Sequence, residues 1–204
     1  MRERDNIEEI LQLSPDFMGF IFYRPSKRYV GDGFKLSEDK FNWGVCRRVG
    51  VFVNHELDVV RRAVDDANLH AVQLHGSEEP AYCEQLKEAL PDIEIWKAFS
   101  VGPDFDLQSI SLYSDVTETF LFDSPLSGFG GSGRSFDWGL ISRYNDPRPF
   151  ILAGGIGSGN ISEALRFKRK AASLIAVDIN SKAEKVPGVK SPELVSRIIE
   201  AVRR

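Results

Sequence analysis

Apolar runs and helix-patterned segments alternate along the whole chain, and this alternation limits the possible folds more than any other feature of the sequence. The apolar runs, which predict strands, span residues 17–22, 49–53, 71–74, 93–98, 119–122, 150–153 and 174–177. They begin roughly 20 to 30 residues apart, which leaves room for a crossover helix between consecutive strands. Most positions in each run are apolar, as in strands that are covered on both faces. The sequence therefore predicts an α/β fold with a parallel sheet.

About eight helices are predicted around these strands, and one of them precedes the first strand. The helical patterns span residues 7–13, 37–46, 57–64, 79–90, 105–112, 136–144, 161–167 and 192–202. Asp5 is the expected N-cap of the first helix. Ser191, followed by Pro192 at the first helical position, opens the last helix. No linker or change of composition divides residues 1–204, so we expect a single domain.

The strand count is the unusual feature of this pattern. A closed (β/α)8 barrel needs eight strands, each followed by its helix, whereas about seven strands are visible here. An open doubly wound sheet would tolerate seven strands. A (β/α)8 barrel of the TIM type that lacks its first strand would give the same count, so the motifs have to decide between these two folds.

The composition narrows the range of partners. The chain has a net charge of −4 and no basic face that would predict nucleic-acid binding. No apolar run reaches the roughly 18 residues of a membrane span, and the charged residues 1–5 have no signal-peptide pattern. Cys46 and Cys83 match no metal-binding spacing, so we expect no metal site and a reducing, cytoplasmic location.

Two polar loops follow the last two predicted strands. Gly154 and Gly155 come directly after the strand at 150–153, and residues 178–181 follow the last strand. Phosphate sites in (β/α)8 barrels form from these loops, where backbone N–H groups face the anion. The glycines alone could equally make a tight turn, but the agreement of the two loops favours a phosphate site.

The glycine run at residues 128–133 fits the spacing G-x-G-x-x-G. A dinucleotide fingerprint needs such glycines directly after a strand and at the start of a helix. Here residues 123–126 separate the strand from the run, and the helix begins later. We therefore expect a loop that closes over a substrate, not a dinucleotide site.

Three side chains near predicted strand ends are candidates for chemistry. Asp123 ends a strand, where it is either a general acid on the active face of a barrel or a turn-forming residue. Arg28 lies beside aromatic residues and either binds a carboxylate or is a solvated surface residue, the second interpretation being favoured without other information. His75 follows another strand and is either a polar pocket residue or a structural histidine.

Eight stretches, taken in order, resemble phosphoribosylanthranilate isomerases. They are residues 19–22 with 26–30, 49–54, 72–76, 122–124, 130–138, 152–156, 177–181 and 187–190. The most specific are Val-Gln-Leu-His-Gly at 72–76 and Gly-Gly-Ser-Gly-x-x-Phe-Asp-Trp at 130–138. The stretches cover almost the whole chain, so the resemblance implies a TIM-type (β/α)8 barrel.

The resemblance implies an enzyme of tryptophan biosynthesis. These isomerases convert N-(5-phosphoribosyl)anthranilate to 1-(2-carboxyphenylamino)-1-deoxyribulose 5-phosphate by an Amadori rearrangement, without cofactor or metal. An acid protonates the ring oxygen of the ribose, and a base removes a proton from the sugar C2. By motif position, Asp123 corresponds to the acid and Arg28 to the residue that binds the anthranilate carboxylate.

The same correspondence implies the rest of the binding site. The phosphate-binding residues are Gly154, Gly155, Asn180 and Ser181. Asp178 corresponds to a carboxylate near the sugar hydroxyls. The remaining substrate-binding residues are Gln73, His75 and Gly131. The implied partner is a phosphorylated small molecule, bound by a monomer or a homodimer, with no nucleic acid or membrane involved.

The sequence departs from the family at its start. The family's base is a cysteine that ends the first strand, in a Lys-x-Cys-Gly run, and Met1 corresponds to the residue just after that run. We therefore expect this chain to lack the strand and the base, to be destabilised or self-associating, and to be weakly active or inactive. A start assigned too late is favoured over a naturally shortened protein. Lys182, where many members have glycine, implies a different final loop.

Two other functions stay open from the sequence. One is another phosphate-binding barrel enzyme, although an epimerase would need paired histidines and a related synthase several strand-end lysines, of which only Lys97 is visible. The other is a non-catalytic barrel that binds a phosphorylated ligand. Binding of a substrate analogue without turnover would distinguish such a barrel from the isomerase.

Overall fold

A parallel sheet of seven strands organises the chain, which the computed structural model describes at residues 1–36, 40–125 and 137–204. The strands are β1 (Phe17–Ile21), β2 (Arg47–Phe52), β3 (Ala71–Leu74), β4 (Glu94–Ser100), β5 (Thr119–Asp123), β6 (Phe150–Leu152) and β7 (Leu174–Val177). Each strand pairs in parallel with its neighbours in sequence. A doubly wound sheet would reverse its strand order at a switch point, and the described strands contain no reversal. The sequential order therefore supports the barrel.

The sheet is strongly curled. The rings of Phe17 in β1 and Trp96 in β4 pack edge to face with their centroids 5.1 Å apart. In a flat sheet, strands three positions apart would be separated by about 14 Å. The curl encloses a small inner core made by Phe17, Val49, Ala71, Trp96, Ala98, Leu121, Ile151, Ala153 and Ala176. The seven strands thus follow the wall of a TIM-type barrel, which confirms the predicted fold.

Helices of two kinds surround the described strands. The α-helices are α1 (Arg4–Leu11), α2 (Leu57–Ala67), α3 (Pro80–Ala89), α4 (Ile161–Lys168) and α5 (Pro192–Arg203), and 3-10 helices span Leu107–Tyr113, Trp138–Ile141 and Ser181–Ala183. Their apolar faces form an outer core with strand residues such as Phe20 and Phe52. In α2 the buried residues recur with helical spacing from Val60 to Ala67. Within the described residues, no helix has the length and apolar character needed to cross a membrane.

The helix predicted at 37–46 is wrong over its described part. Residues 40–46 contain no helix, and residues 37–39 lie outside the described chain. Gly44 has a φ of +51°, a left-handed conformation that a continuous helix does not allow. Phe41 and Trp43 pack edge to face instead, with ring centroids 5.7 Å apart. The apolar residues of this segment therefore reach the core from an irregular loop.

The ends of two α-helices test the predicted caps. In α1 the N-cap is Glu3, and Asp5 lies within the first turn, so the prediction of Asp5 as the cap is wrong. The charge of Asp5 still favours this end of the helix dipole. In α5 the side chain of Ser191 accepts a hydrogen bond from the N–H of Leu194, and Pro192 holds the first helical position, as predicted.

Two further predicted helices, at 105–112 and 136–144, are shorter 3-10 helices. Each follows an aspartate whose carboxylate accepts a hydrogen bond from the N–H two residues later, as Asp106 does from Gln108. This local bond offers the backbone an alternative to the α-helical ladder. An antiparallel hairpin of β8 (Glu184–Val186) and β9 (Val189–Lys190), absent from the sequence prediction, follows the last 3-10 helix.

In the described chain, the outer strands β1 and β7 each pair with one strand of the sheet. On the free side of β1, the nitrogen of Met1 donates to the carbonyl oxygen of Gly19 at 2.9 Å. The N–H of Val30 donates to the carbonyl oxygen of Ile21 at 3.0 Å. Met1 is 7% exposed and packs in the outer core. Two acceptors on this edge are therefore satisfied by residues outside any strand.

Candidate active site

Asp123, His75 and Gln73 form a connected group at the carboxyl ends of β3 and β5. Oδ2 of Asp123 lies 3.3 Å from Nε2 of His75. Nδ1 of His75 lies 2.7 Å from the side-chain nitrogen of Gln73, which is buried in β3. A Gln73 amide that donates to Nδ1 leaves the histidine proton on Nε2, pointing at Asp123. The N–H of Ser124 donates to the other carboxylate oxygen at 2.7 Å, so the Asp123 carboxylate is oriented from both sides.

The turn after β6 brings two glycines against the Asp123 loop. Gly154 and Gly155 have φ values of +85° and +66°, in the left-handed region that favours glycine. A Cβ atom on Gly154 would lie 2.7 Å from the backbone nitrogen of Ser124. The predicted acid and the predicted phosphate turn are therefore neighbours at the same end of the sheet.

Asn160 and Lys182 define the shape of this turn. The N–H of Gly157 donates to Oδ1 of Asn160 at 2.9 Å, and Nδ2 of Asn160 donates to the carbonyl oxygen of Gly155 at 3.2 Å. On the other side, a Cβ atom on Gly157 would lie 2.6 Å from Cβ of Lys182. The loops after β6 and β7 thus touch through Lys182, and the close approach requires glycine at position 157.

We predict that Gly154→Ala destabilises the protein by about 1–3 kcal/mol, because the added Cβ meets a backbone atom and the residue keeps a left-handed φ. It should also weaken the binding of inorganic phosphate, which calorimetric titration would measure. Gly159→Ala is the matched control from the same loop, since a Cβ atom there has no neighbour within 4 Å. Equal stability losses in the two variants would contradict the proposed close approach.

The loop after β7 carries Asp178, Asn180 and Ser181. Nζ of Lys190 donates to Oδ1 of Asn180 at 2.7 Å and to its carbonyl oxygen at 2.9 Å. Desolvation by the surrounding protein raises the pKa of Asp178; the charge of Lys190 opposes this rise and that of Asp123 adds to it. Solvent still reaches Asp178 and Ser181, which are exposed. The carboxylates of Asp178 and Asp123 therefore share one mouth.

Arg28 is held by an internal carboxylate. Its Nε lies 2.9 and 3.0 Å from the two carboxylate oxygens of Glu184, and its Nη2 lies 2.7 Å from one of them. The side chains of Arg28 and Glu184 are 17% and 4% exposed. The favoured interpretation of Arg28 as a solvated surface residue is therefore wrong. One edge of the guanidinium is occupied, and the N–H groups of Nη1 and the second of Nη2 remain for a ligand.

Glu184 and Lys190, which sequence reasoning gave no role, face each other in the β8–β9 hairpin. Nζ of Lys190 lies 3.2 Å from Oε1 of Glu184. Burial alone would raise the pKa of Glu184, but the hydrogen bond from Arg28 and the charge of Lys190 lower it to about 2. The only sequence signal for this pair is the Pro187-Gly188 turn between them. That turn could have indicated the hairpin, but it does not indicate a partner for Arg28.

Lys97 is not an accessible strand-end lysine. Its Nζ donates to the carbonyl oxygen of Gly76 at 2.7 Å and to Oε2 of Glu78 at 3.1 Å. The side chains of Lys97 and Glu78 are each 3% exposed. The pair anchors the loop that follows His75, and the synthase hypothesis therefore loses its one candidate lysine.

The glycine run at 128–133, including Gly131, lies outside the described residues, so its role stays a prediction. Cys46 precedes β2 at the opposite end of the sheet, and Cys83 lies in α3. Both are buried free thiols, and burial raises the pKa of each to about 11. Both cysteines are packing residues, as predicted.

Comparison with known proteins places this chain in a family. The sequence profile described as N-(5'-phosphoribosyl)anthranilate (PRA) isomerase matches residues 1–201. The chain belongs to the PRA isomerase family. This match confirms the sequence resemblance. It also excludes the open doubly wound sheet for this chain, because that is not the fold of the family.

Individual PRA isomerases resemble the chain over its full length. The N-(5'-phosphoribosyl)anthranilate isomerase of Phocaeicola vulgatus is 37% identical over 204 residues, which are 100% of this chain and 95% of that protein. The crystal structure of the Thermotoga maritima enzyme is 30% identical with a TM-score of 0.82, over 100% of this chain and 95% of that one. A PRA isomerase crystallised with reduced 1-(o-carboxyphenylamino)-1-deoxyribulose 5-phosphate is 28% identical with a TM-score of 0.79, at the same coverage.

Proposed function

We propose that this protein catalyses the Amadori rearrangement of N-(5-phosphoribosyl)anthranilate to 1-(2-carboxyphenylamino)-1-deoxyribulose 5-phosphate in tryptophan biosynthesis. The observation that carries the proposal is the close approach of the Gly154 turn to Ser124. A Cβ atom on Gly154 would lie 2.7 Å from the backbone nitrogen of Ser124. This close approach supports the proposal because the Asp123 carboxyl group then lies beside a glycine turn of the kind that binds anions, as an acid acting on a sugar phosphate requires. The reduced compound bound by a solved family member carries a phosphate and a carboxylate as well.

Asp123 is the proposed general acid. It donates its proton to the ribose ring oxygen while the bond from C1 to that oxygen breaks, and the anthranilate nitrogen forms a double bond to C1. A base then removes the proton from C2, and the electron pair moves toward the nitrogen. The resulting enolamine becomes the ketone product. The contact of Asp123 with His75, at 3.3 Å, supports this role because it keeps the carboxyl group at the mouth.

The two ends of the substrate are assigned to opposite sides of the mouth. The phosphate binds the backbone N–H groups of Gly154 and Gly155, near the start of α4, and the loop of Asn180 and Ser181. The anthranilate carboxylate binds the free edge of Arg28. Asp178 lies near the sugar hydroxyls. Gln73, His75 and Gly131 complete the substrate-binding set.

The general base is not assigned to any of the described residues. The nitrogen of Met1 bonds to Gly19 on the free side of β1, so a strand added before it would continue along that edge of the sheet. Cys46 and Cys83 are unsuited as bases, because burial raises the pKa of each thiol to about 11. The family resemblance implies a cysteine at the end of the added strand.

We predict that adding a segment with the family's Lys-x-Cys-Gly run before Met1 raises isomerase turnover by at least about 100-fold, the contribution of a positioned base. The matched control replaces the cysteine of the extension with serine, which keeps the strand and removes the base. Both chains should bind inorganic phosphate. Phosphate binding without turnover in either chain would favour a non-catalytic binding barrel, and absence of both would refute the proposal.

A further inference from the structure

A buried group of charges joins the two binding loops of the proposed site. Glu184 lies between Arg28, which contacts it at 2.7 Å, and Lys190, which contacts it at 3.2 Å. The N–H of Gly188 also donates to Oε1 of Glu184 at 3.0 Å. The side chains of Glu184 and Lys190 are 4% and 10% exposed. These contacts therefore form in the protein interior, where ionic hydrogen bonds hold a fixed geometry.

Glu184 determines which edge of Arg28 faces a ligand. Nε and one N–H of Nη2 point at the carboxylate of Glu184. A guanidinium has five N–H donors in a rigid plane. The three that remain lie on the end formed by Nη1 and Nη2, and they can bind a second carboxylate there. Because the plane is rigid, fixing one edge of Arg28 also fixes the direction of the other.

Lys190 connects the same carboxylate to the phosphate loop. Its ammonium group donates to Asn180 through both the side-chain oxygen, at 2.7 Å, and the carbonyl oxygen, at 2.9 Å. Its backbone is held in turn by Asn6, which accepts from the Lys190 N–H at 2.7 Å and donates to its carbonyl oxygen at 2.9 Å. The two hydrogen bonds with Asn6 in α1 therefore fix the backbone segment that carries the ammonium group of Lys190.

We propose that Glu184 and Lys190 are positioning residues that set the separation between the carboxylate-binding Arg28 and the phosphate-binding Asn180. They select ligands that carry an aryl carboxylate and a phosphate at that separation. This inference rests on the proposed function and adds residues to which no role has been assigned. Glu184 acts mainly on the carboxylate end, because three of its hydrogen bonds are with Arg28, whereas Lys190 contacts both Glu184 and Asn180 and acts on both ends.

The test measures the binding of two separate probes, anthranilate and inorganic phosphate, by calorimetry on the full chain. Glu184→Gln keeps the shape but loses one acceptor and the charge, so the Kd of anthranilate should rise at least about tenfold while that of phosphate changes less than about threefold. Lys190→Met should raise the Kd of phosphate by about tenfold as well, because Asn180 loses its anchor. Glu193→Gln, whose pair with Arg197 is exposed, is the matched control and should leave both Kd values unchanged.

A double-mutant cycle distinguishes a positioning role of Glu184 from a purely structural one. In the Arg28→Met background, Glu184→Gln should produce no further loss of anthranilate binding, because its effect passes through Arg28. Thermal unfolding of each variant accompanies the titrations. An equal loss for both probes in Glu184→Gln, or the same loss with and without Arg28, would overturn the inference and reduce the pair to structural support.

The same titrations distinguish this inference from the proposed function. Wild-type protein that binds both probes, with Glu184→Gln unchanged, would leave the isomerase proposal standing and remove the positioning roles. Wild-type protein that binds neither probe would remove the proposed function and this inference with it.

Discussion

Asp123→Asn is expected to lower the turnover of the N-terminally extended chain by about 100- to 10,000-fold, the usual contribution of a positioned acid. Asparagine has nearly the same size as aspartate and can still accept from the N–H of Ser124, which lies 2.7 Å from Oδ1 of Asp123. It has no acidic proton to give to the ribose ring oxygen. The KM should change by less than about threefold, because the proposed phosphate and carboxylate sites lie on other loops. Steady-state kinetics of the variant checks both values.

Asp92→Asn is the matched control for this substitution. Asp92 is exposed in the turn before β4, at the opposite end of the sheet, so the same chemical change should leave turnover unaltered. A variant at Asp123 that raises KM and keeps kcat would show that the carboxylate binds the substrate and does not protonate it. In that case the acid would have to be sought elsewhere in the mouth.

The strands were predictable because both faces of the sheet are buried, so that each strand needs apolar side chains on both of its faces. In β5, Leu121 faces the inner core while Phe120 and Phe122 face the outer core. Between Thr119 and Asp123 the strand therefore has no polar position, which is typical of a parallel strand. The loop at 40–46 gives a false helical signal because Phe41 and Trp43 are also apolar. Their burial depends on contacts with distant residues, which local periodicity does not contain.

The site was predictable where it depends on strand ends. Asp123 ends β5 and Gly154 follows β6 almost directly, so parallel pairing brings them to the same end of the sheet. The contact of Arg28 with Glu184 joins residues 156 positions apart and depends on the curl of the sheet. No local pattern around Arg28 predicts that contact.

The side chains of a strand alternate between the two faces of the sheet, and this alternation determines where Lys97 points. It can be applied to the sequence only once the residues of the inner face are known. Trp96 and Ala98 face the inner core, so Lys97 points between them to the outer layer. A lysine there is buried and requires an acidic partner. Glu78 provides that partner, and its carboxylate also accepts from the N–H groups of Asn54, at 2.7 Å, and Gly76, at 2.9 Å.

Lys97→Met is expected to lower the free energy of unfolding by about 3–5 kcal/mol, the cost of removing one partner of a buried ion pair. Methionine fills the space, but it leaves the carboxylate of Glu78 without its counter-charge and the carbonyl oxygen of Gly76 without its donor, 2.7 Å away in the native protein. Denaturant unfolding followed by circular dichroism measures the loss.

Lys87→Met provides the control, because Lys87 forms a similar pair with Glu118 at 2.9 Å but its side chain is 44% exposed. Its loss should be at most about 1 kcal/mol, since water screens an exposed pair. Adding Glu78→Gln to Lys97→Met removes the isolated charge and should recover part of the stability. Equal losses in the free energy of unfolding for Lys97→Met and Lys87→Met would show that Lys97 does not anchor the loop that presents His75 to Asp123. The orientation of the proposed acid would then have to come from Gln73 and Ser124 alone.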